Sequence, residues 1–87
     1  MKVDEYKDLV AELGCLICGN KPELHHPRFA CGLSQRADDW LVVPLCEKHH
    51  RTGGYGVALH DGQMTWEKNF YTEQELLALT IQKMIGG

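Results

Sequence analysis

Two short pairs of metal-ligating residues constrain this chain more than any other feature. Cys15-Leu16-Ile17-Cys18 is a C-x2-C knuckle, and Gly19-Asn20 directly after it supplies a turn that aims both sulfurs at one centre. Cys46-Glu47-Lys48-His49 is a C-x2-H pair. Together they give the tetrahedral Cys3His set of a closed structural zinc site. Cys31 is the alternative to His49, but it stands in Phe29-Ala30-Cys31-Gly32 with no partner at knuckle spacing. The leading segment MKVDEYKDLVAEL carries Asp4, Glu5, Asp8 and Glu12, so it reads as neither a signal nor a transit peptide. A cytoplasmic, reducing setting is therefore expected, bacterial or in a phage-infected host cell, where stable disulfides are rare. A thioredoxin-like pair would need a βαβ unit, and haem attachment a histidine where Gly19 stands.

A staple matters because the chain is short. At 87 residues it reads as one domain, 1–87. A chain of that size buries only ~60% of the surface its unfolded form exposes. Bound zinc would supply the stability that such a thin core lacks. No apolar run approaches the ~20 residues of a membrane span.

The element order reads as helix, knuckle, strand, loop, strand, helix, helix. Val3, Tyr6, Leu9, Val10 and Leu13 form one stripe over residues 2–13, ended by Gly14. Glu23 to His26 is a short extended segment stopped by Pro27, and 27–39 reads as loop. Trp40 to Leu45 is the best strand, with Pro44 near its end suggesting an edge position. Glu47 to Thr52 can form a short helix carrying His49 and His50, followed by a glycine loop and a weakly helical stretch from Asp61 to Phe70. Thr72-Glu73-Gln74-Glu75 is a capping box that opens a helix over about 73–85.

The zinc pairs leave four of the five histidines unexplained: His25, His26, His50 and His60. A lone histidine is usually a solvated surface residue. Here all five fall between residues 25 and 60, and two doublets flank the ligand pairs. Neighbours on a strand point to opposite sides, and neighbours on a helix lie ~100° apart, so each doublet can serve two different centres. Such an arrangement suits phosphodiester hydrolysis, in which imidazoles hold a divalent cation and a separate histidine takes the proton from water.

At this point the sequence resembles the HNH, or ββα-metal, nucleases. The residues that carry the resemblance are Cys15 and Cys18, then Leu24-His25-His26-Pro27-Arg28, then Asp38-Asp39-Trp40 running to Cys46 and His49-His50, then His60. The stretch from His25 to Gly62 is similar to small phage-borne HNH proteins, in particular the Ref-like group of RecA-dependent nucleases. The resemblance covers residues 15 to about 71. It implies a small α+β fold: a ββα-metal motif braced by a structural zinc site, with flanking N- and C-terminal helices. By position in the motif, His26 matches the general base, and His25 and His50 match ligands of a catalytic Mg2+ or Mn2+. His60 matches a further downstream histidine, but beyond a glycine loop, which leaves open a metal ligand, a phosphate contact or neither. Asp39 is the nearest match to the middle motif position, where it would orient His26, and Asp38 competes for that role. DNA is the implied substrate, and a RecA filament and DNA recombination the implied context.

Arg28 and Arg51 lie beside motif histidines and are the better candidates for phosphate contacts; Arg36 and Lys48 are weaker. Trp40 and Trp66 read as core, and Tyr55 as an exposed aromatic suited to stacking. The net charge of −3 argues against tight binding of nucleic acid by charge alone, though not through a bound cation. The competing reading is a zinc-binding module that recognises DNA or a protein without catalysis. Such a module has no use for His25, His26 and His50. Zinc-dependent deamination fails because no Glu follows at His-x-Glu spacing.

Overall fold

The computed structural model describes residues 1–28 and 38–86. Cys31 and Arg36 lie outside those residues. The fold is a small α+β arrangement in which a two-stranded antiparallel sheet is packed between helices. Helix α1 spans Val3–Glu12, strand β1 Glu23–His25, strand β2 Val43–Leu45, helix α2 Gln63–Asn69 and helix α3 Glu73–Gly86. Between β2 and α2 lie a π-helical turn, Lys48–Thr52, and a 3-10 turn, Leu59–Asp61. Among the described residues no helix is long and apolar enough to cross a membrane.

The sheet pairs Glu23 with Leu45, Leu24 with Pro44 and His25 with Val43. Pro44 has no N–H to give, and in a two-stranded ribbon each strand keeps one free edge where that costs nothing. The Pro44 carbonyl uses that outer edge to accept the backbone N–H of Leu16 at 3.1 Å. The cysteine knuckle is thereby docked on the hairpin. Gly14 closes the knuckle at φ +79, and a side chain there would meet the Gly19 carbonyl at 2.8 Å. Only glycine fits a backbone this close and left-handed.

Buried Cys15, Val43, Leu45, Cys46, Leu59, Trp66 and Leu76 form the core, with Leu16, Ile17, Phe70 and Leu77 packed against it. Two candidate zinc ligands are therefore core residues. Trp66 is fully buried, donates its indole N–H to the Val57 carbonyl at 2.9 Å, and packs against Phe70 with ring centroids 5.1 Å apart. α1 packs on both strands and on α3, and Val10 is its buried residue. The capping box at α3 forms: Glu75 N–H donates to Thr72 Oγ1 at 3.1 Å, and Thr72 N–H to Glu75 Oε1 at 2.9 Å.

Two expectations need correction. The second strand covers Val43–Leu45 rather than Trp40 to Leu45, because Leu41 N–H closes a turn on the Asp38 carbonyl at 2.9 Å. Trp40 is 43% exposed and lies against Tyr6 with centroids 5.0 Å apart, so it is outside the core. The short helix expected after Cys46 does form, as a π turn that carries the histidine doublet and is closed by Gly53 N–H on the Lys48 carbonyl at 2.9 Å.

The core depends on its one buried indole. Trp66→Ala should lower the unfolding free energy by about 3–5 kcal/mol, read from the urea midpoint. A loss below ~1 kcal/mol would show that the core closes without it.

Candidate metal centres

Cys15, Cys18, Cys46 and His49 converge on one point, with their ligand atoms all within 4.8 Å of one another. Cys18 Sγ lies 3.6 Å from Cys46 Sγ, and His49 Nδ1 lies 3.2 Å from Cys46 Sγ and 3.8 Å from Cys15 Sγ. This is a Cys3His cluster able to hold zinc, reached from the knuckle on one side and from the end of β2 on the other. Burial works against ionisation of Cys15, but the backbone N–H groups of Cys46, Cys18 and Ile17 outweigh it and bring its thiol below the ordinary value. The thiolate is the ligand form, so the backbone N–H groups of Cys46 and then of the knuckle prepare it. Phe70 lies edge-on to the His49 ring at 5.6 Å, as an apolar neighbour of the cluster.

A second cluster lies on the other side of the π turn. His25 Nδ1 is 3.1 Å from His50 Nε2, and His60 Nε2 is 2.9 Å from the same His50 nitrogen. These three ring nitrogens also meet the geometry of a metal-ligand group. His25 and His50 are buried and His60 is exposed. His60 reaches the cluster from the 3-10 turn, so the glycine loop folds it back beside the doublet. Burial lowers the His50 and His60 pKa values, and each is lowered further by neighbouring rings. Neutral imidazole is the ligating form.

Two carboxylates back this cluster. Glu73, at the start of α3 and 3% exposed, accepts His25 Nε2–H at 2.6 Å. It also accepts the Arg28 backbone N–H at 3.0 and 3.1 Å and the Gln63 side-chain amide at 2.9 Å. Burial pushes its carboxyl up, yet the bonds from His25 and Arg28 bring it below the ordinary range. Glu23, on β1, accepts His50 Nδ1–H at 2.8 Å and two bonds from Arg51, at 2.8 and 2.6 Å. The Arg51 bond, opposed by burial and helped by His50, holds Glu23 at about 2. Arg51 is thus engaged with Glu23, while the exposed Arg28 guanidinium lies 3.2 Å from His60 Nδ1.

His26 takes no part in either cluster. Its Nε2 lies 2.8 Å from Asp39 Oδ1, and Lys7 Nζ is 3.9 Å from the same oxygen. Asp38 instead accepts the Trp40 backbone N–H at 2.9 Å. Of the two aspartates, Asp39 is the one that meets His26. Tyr55 is 74% exposed and donates or accepts a 2.6 Å bond with Thr65 Oγ1, its ring lying over Gly62.

Glu23, Glu73 and Gln63 are site residues that the sequence reading missed. Glu23 was within reach, since strand period places it on the face of His25. Glu73 carries no such signal, because it lies 48 residues from His25 and inside a capping box.

A family model matches residues 1–86. The chain belongs to the DUF968 family. That family is described as a protein of unknown function. No curated protein and no solved structure matches the chain.

Because Glu23 sits far below its ordinary value of 4.5, it adds stability that is complete above that pH and lost as pH falls toward about 2. Glu23→Gln should therefore be less stable than wild type at neutral pH and equal to it near pH ~2, measured by urea unfolding across the acid range. A constant difference between the two proteins at every pH would contradict this.

Proposed function

We propose that this protein is an HNH-type, metal-dependent endonuclease that hydrolyses phosphodiester bonds in DNA. In this reading Cys15, Cys18, Cys46 and His49 hold a structural zinc, while His25, His50 and His60 hold one catalytic divalent cation. His26 is the general base, oriented by Asp39. The carrying observation is the division of the doublets. His49 faces the thiolates while His50 faces the imidazoles, and His25 joins His50 while His26 pairs with Asp39. A zinc module without catalysis would need the first cluster alone.

The donor set of three imidazoles fits a borderline divalent cation such as Zn2+ better than Mg2+ or Mn2+, which prefer oxygen ligands. Bound there, the cation would neutralise phosphate charge and steady the leaving oxygen. His26 donates Nε2–H to Asp39, which leaves the Nδ1 lone pair to take a proton from water. The water oxygen then attacks phosphorus and the bond to the 3′ oxygen breaks, that oxygen taking a proton from solvent, to give 5′-phosphate and 3′-hydroxyl ends. Arg28, with its guanidinium at the exposed rim beside His60, supplies the phosphate contact. Arg51 contributes by holding Glu23 against His50. With a net charge of −3, substrate capture relies on the cation and on delivery by a partner, for which the Ref-like resemblance suggests a RecA filament.

The test is cleavage of supercoiled plasmid and single-stranded DNA with Mn2+, Zn2+ or Mg2+, with and without RecA filaments. His26→Ala should slow cleavage by at least about 10²-fold while keeping the same bound metals by native mass spectrometry. A folded, metal-loaded wild type that cuts no substrate under any of these conditions would leave the non-catalytic module as the better reading.

A further inference from the structure

We propose that Glu73 is the positioning residue of the histidine cluster, fixing His25 as an Nδ1 ligand and tying the C-terminal helix to the metal centre. The proposal rests on the metal reading of that cluster, though not on cleavage.

A carboxylate at 3% exposure is costly to bury unless its oxygens are fully used. Glu73 uses them on three partners from different parts of the chain: the His25 ring, the Arg28 backbone N–H beyond β1, and Gln63 at the start of α2. The last two hold the carboxylate plane still. The first, at 2.6 Å, places the ring proton on Nε2 and so turns the Nδ1 lone pair toward His50 Nε2, 3.1 Å away. A ligating histidine typically donates its other N–H to a carboxylate or carbonyl, which sets both its tautomer and its ring angle.

Helix capping does not account for Glu73, because Thr72 and Glu75 already make the reciprocal cap. Glu23 plays a lesser part at His50. It is more exposed, at 31% of its side chain, and shares its oxygens with Arg51. Hence α3, the element that looks furthest from the chemistry in sequence, supplies the most deeply buried support of the site.

The experiment is a Co2+ titration of wild type, Glu73→Gln and Glu73→Ala in the full chain, read by absorbance. Cobalt on the Cys3His cluster gives a thiolate charge-transfer band in the near ultraviolet. Cobalt on the imidazoles gives only visible d–d bands. Wild type should load both. Glu73→Gln, which keeps the volume and removes the charge, should bind cobalt at the histidines about 10–100-fold more weakly, with the thiolate band kept and the melting temperature lowered by only a few degrees. Glu73→Ala should lose more. Wild-type affinity at the histidines in Glu73→Gln would overturn the proposal. So would parallel loss of both cobalt sites and of the fold, which would make Glu73 merely structural. A wild type that loads the thiolate site alone would overturn the metal reading itself, and this proposal with it.

Discussion

One π turn has to face two clusters at once, and the rest of the fold is arranged around that demand. His49 and His50 are adjacent, so wherever the turn sits, one ring must look toward the thiolates and the other toward His25 and His60. β2 delivers the turn, and the knuckle is hung on the outer edge of the same strand through the Pro44 carbonyl. β1 brings His25 and Glu23 alongside, in register with Val43 and Leu45. The Cys3His cluster belongs to the core, since Cys15 and Cys46 pack with Leu45 and Trp66. Bracing the thiolate side therefore fixes the turn from which His50 reaches the other cluster.

The electrostatics of the two clusters follow different rules. The thiolate cluster needs negative charge in a buried place, and backbone N–H groups of Cys46 and the knuckle favour it at Cys15. The imidazole cluster needs neutral rings, and burial lowers the pKa of both His50 and His60. Negative charge at that cluster is kept one bond back, on Glu23 and Glu73, where it orients rings. His26 sits apart, half-exposed and paired with Asp39.

Much of this was legible in the sequence where the signal was local. The C-x2-C and C-x2-H spacings gave the Cys3His cluster, the capping box gave the start of α3, and the stripe in residues 2–13 gave α1. Doublet geometry separated His49 from His50 and His25 from His26 without any knowledge of the fold. The failures were nonlocal. Trp40 looked like the head of a strand because β-branched neighbours follow it, yet a turn on Asp38 ends the pairing first. Glu73 carries no functional signal inside the Thr72/Glu75 capping box, because nothing in a linear chain shows that α3 will close over His25. The role of His60 is left open by the sequence rather than misread: it lies beyond a loop, and the 3-10 turn that brings it beside His50 depends on tertiary packing of Leu59.

If one turn serves two metal centres, its two adjacent histidines must answer for different cations. Native mass spectrometry of the zinc-loaded protein beside His49→Ala and His50→Ala tests it most directly. Two cations per chain in wild type, one in His50→Ala and at most one in His49→Ala, is the predicted result. A wild type that holds a single cation, or a His50→Ala protein that keeps both, would contradict it.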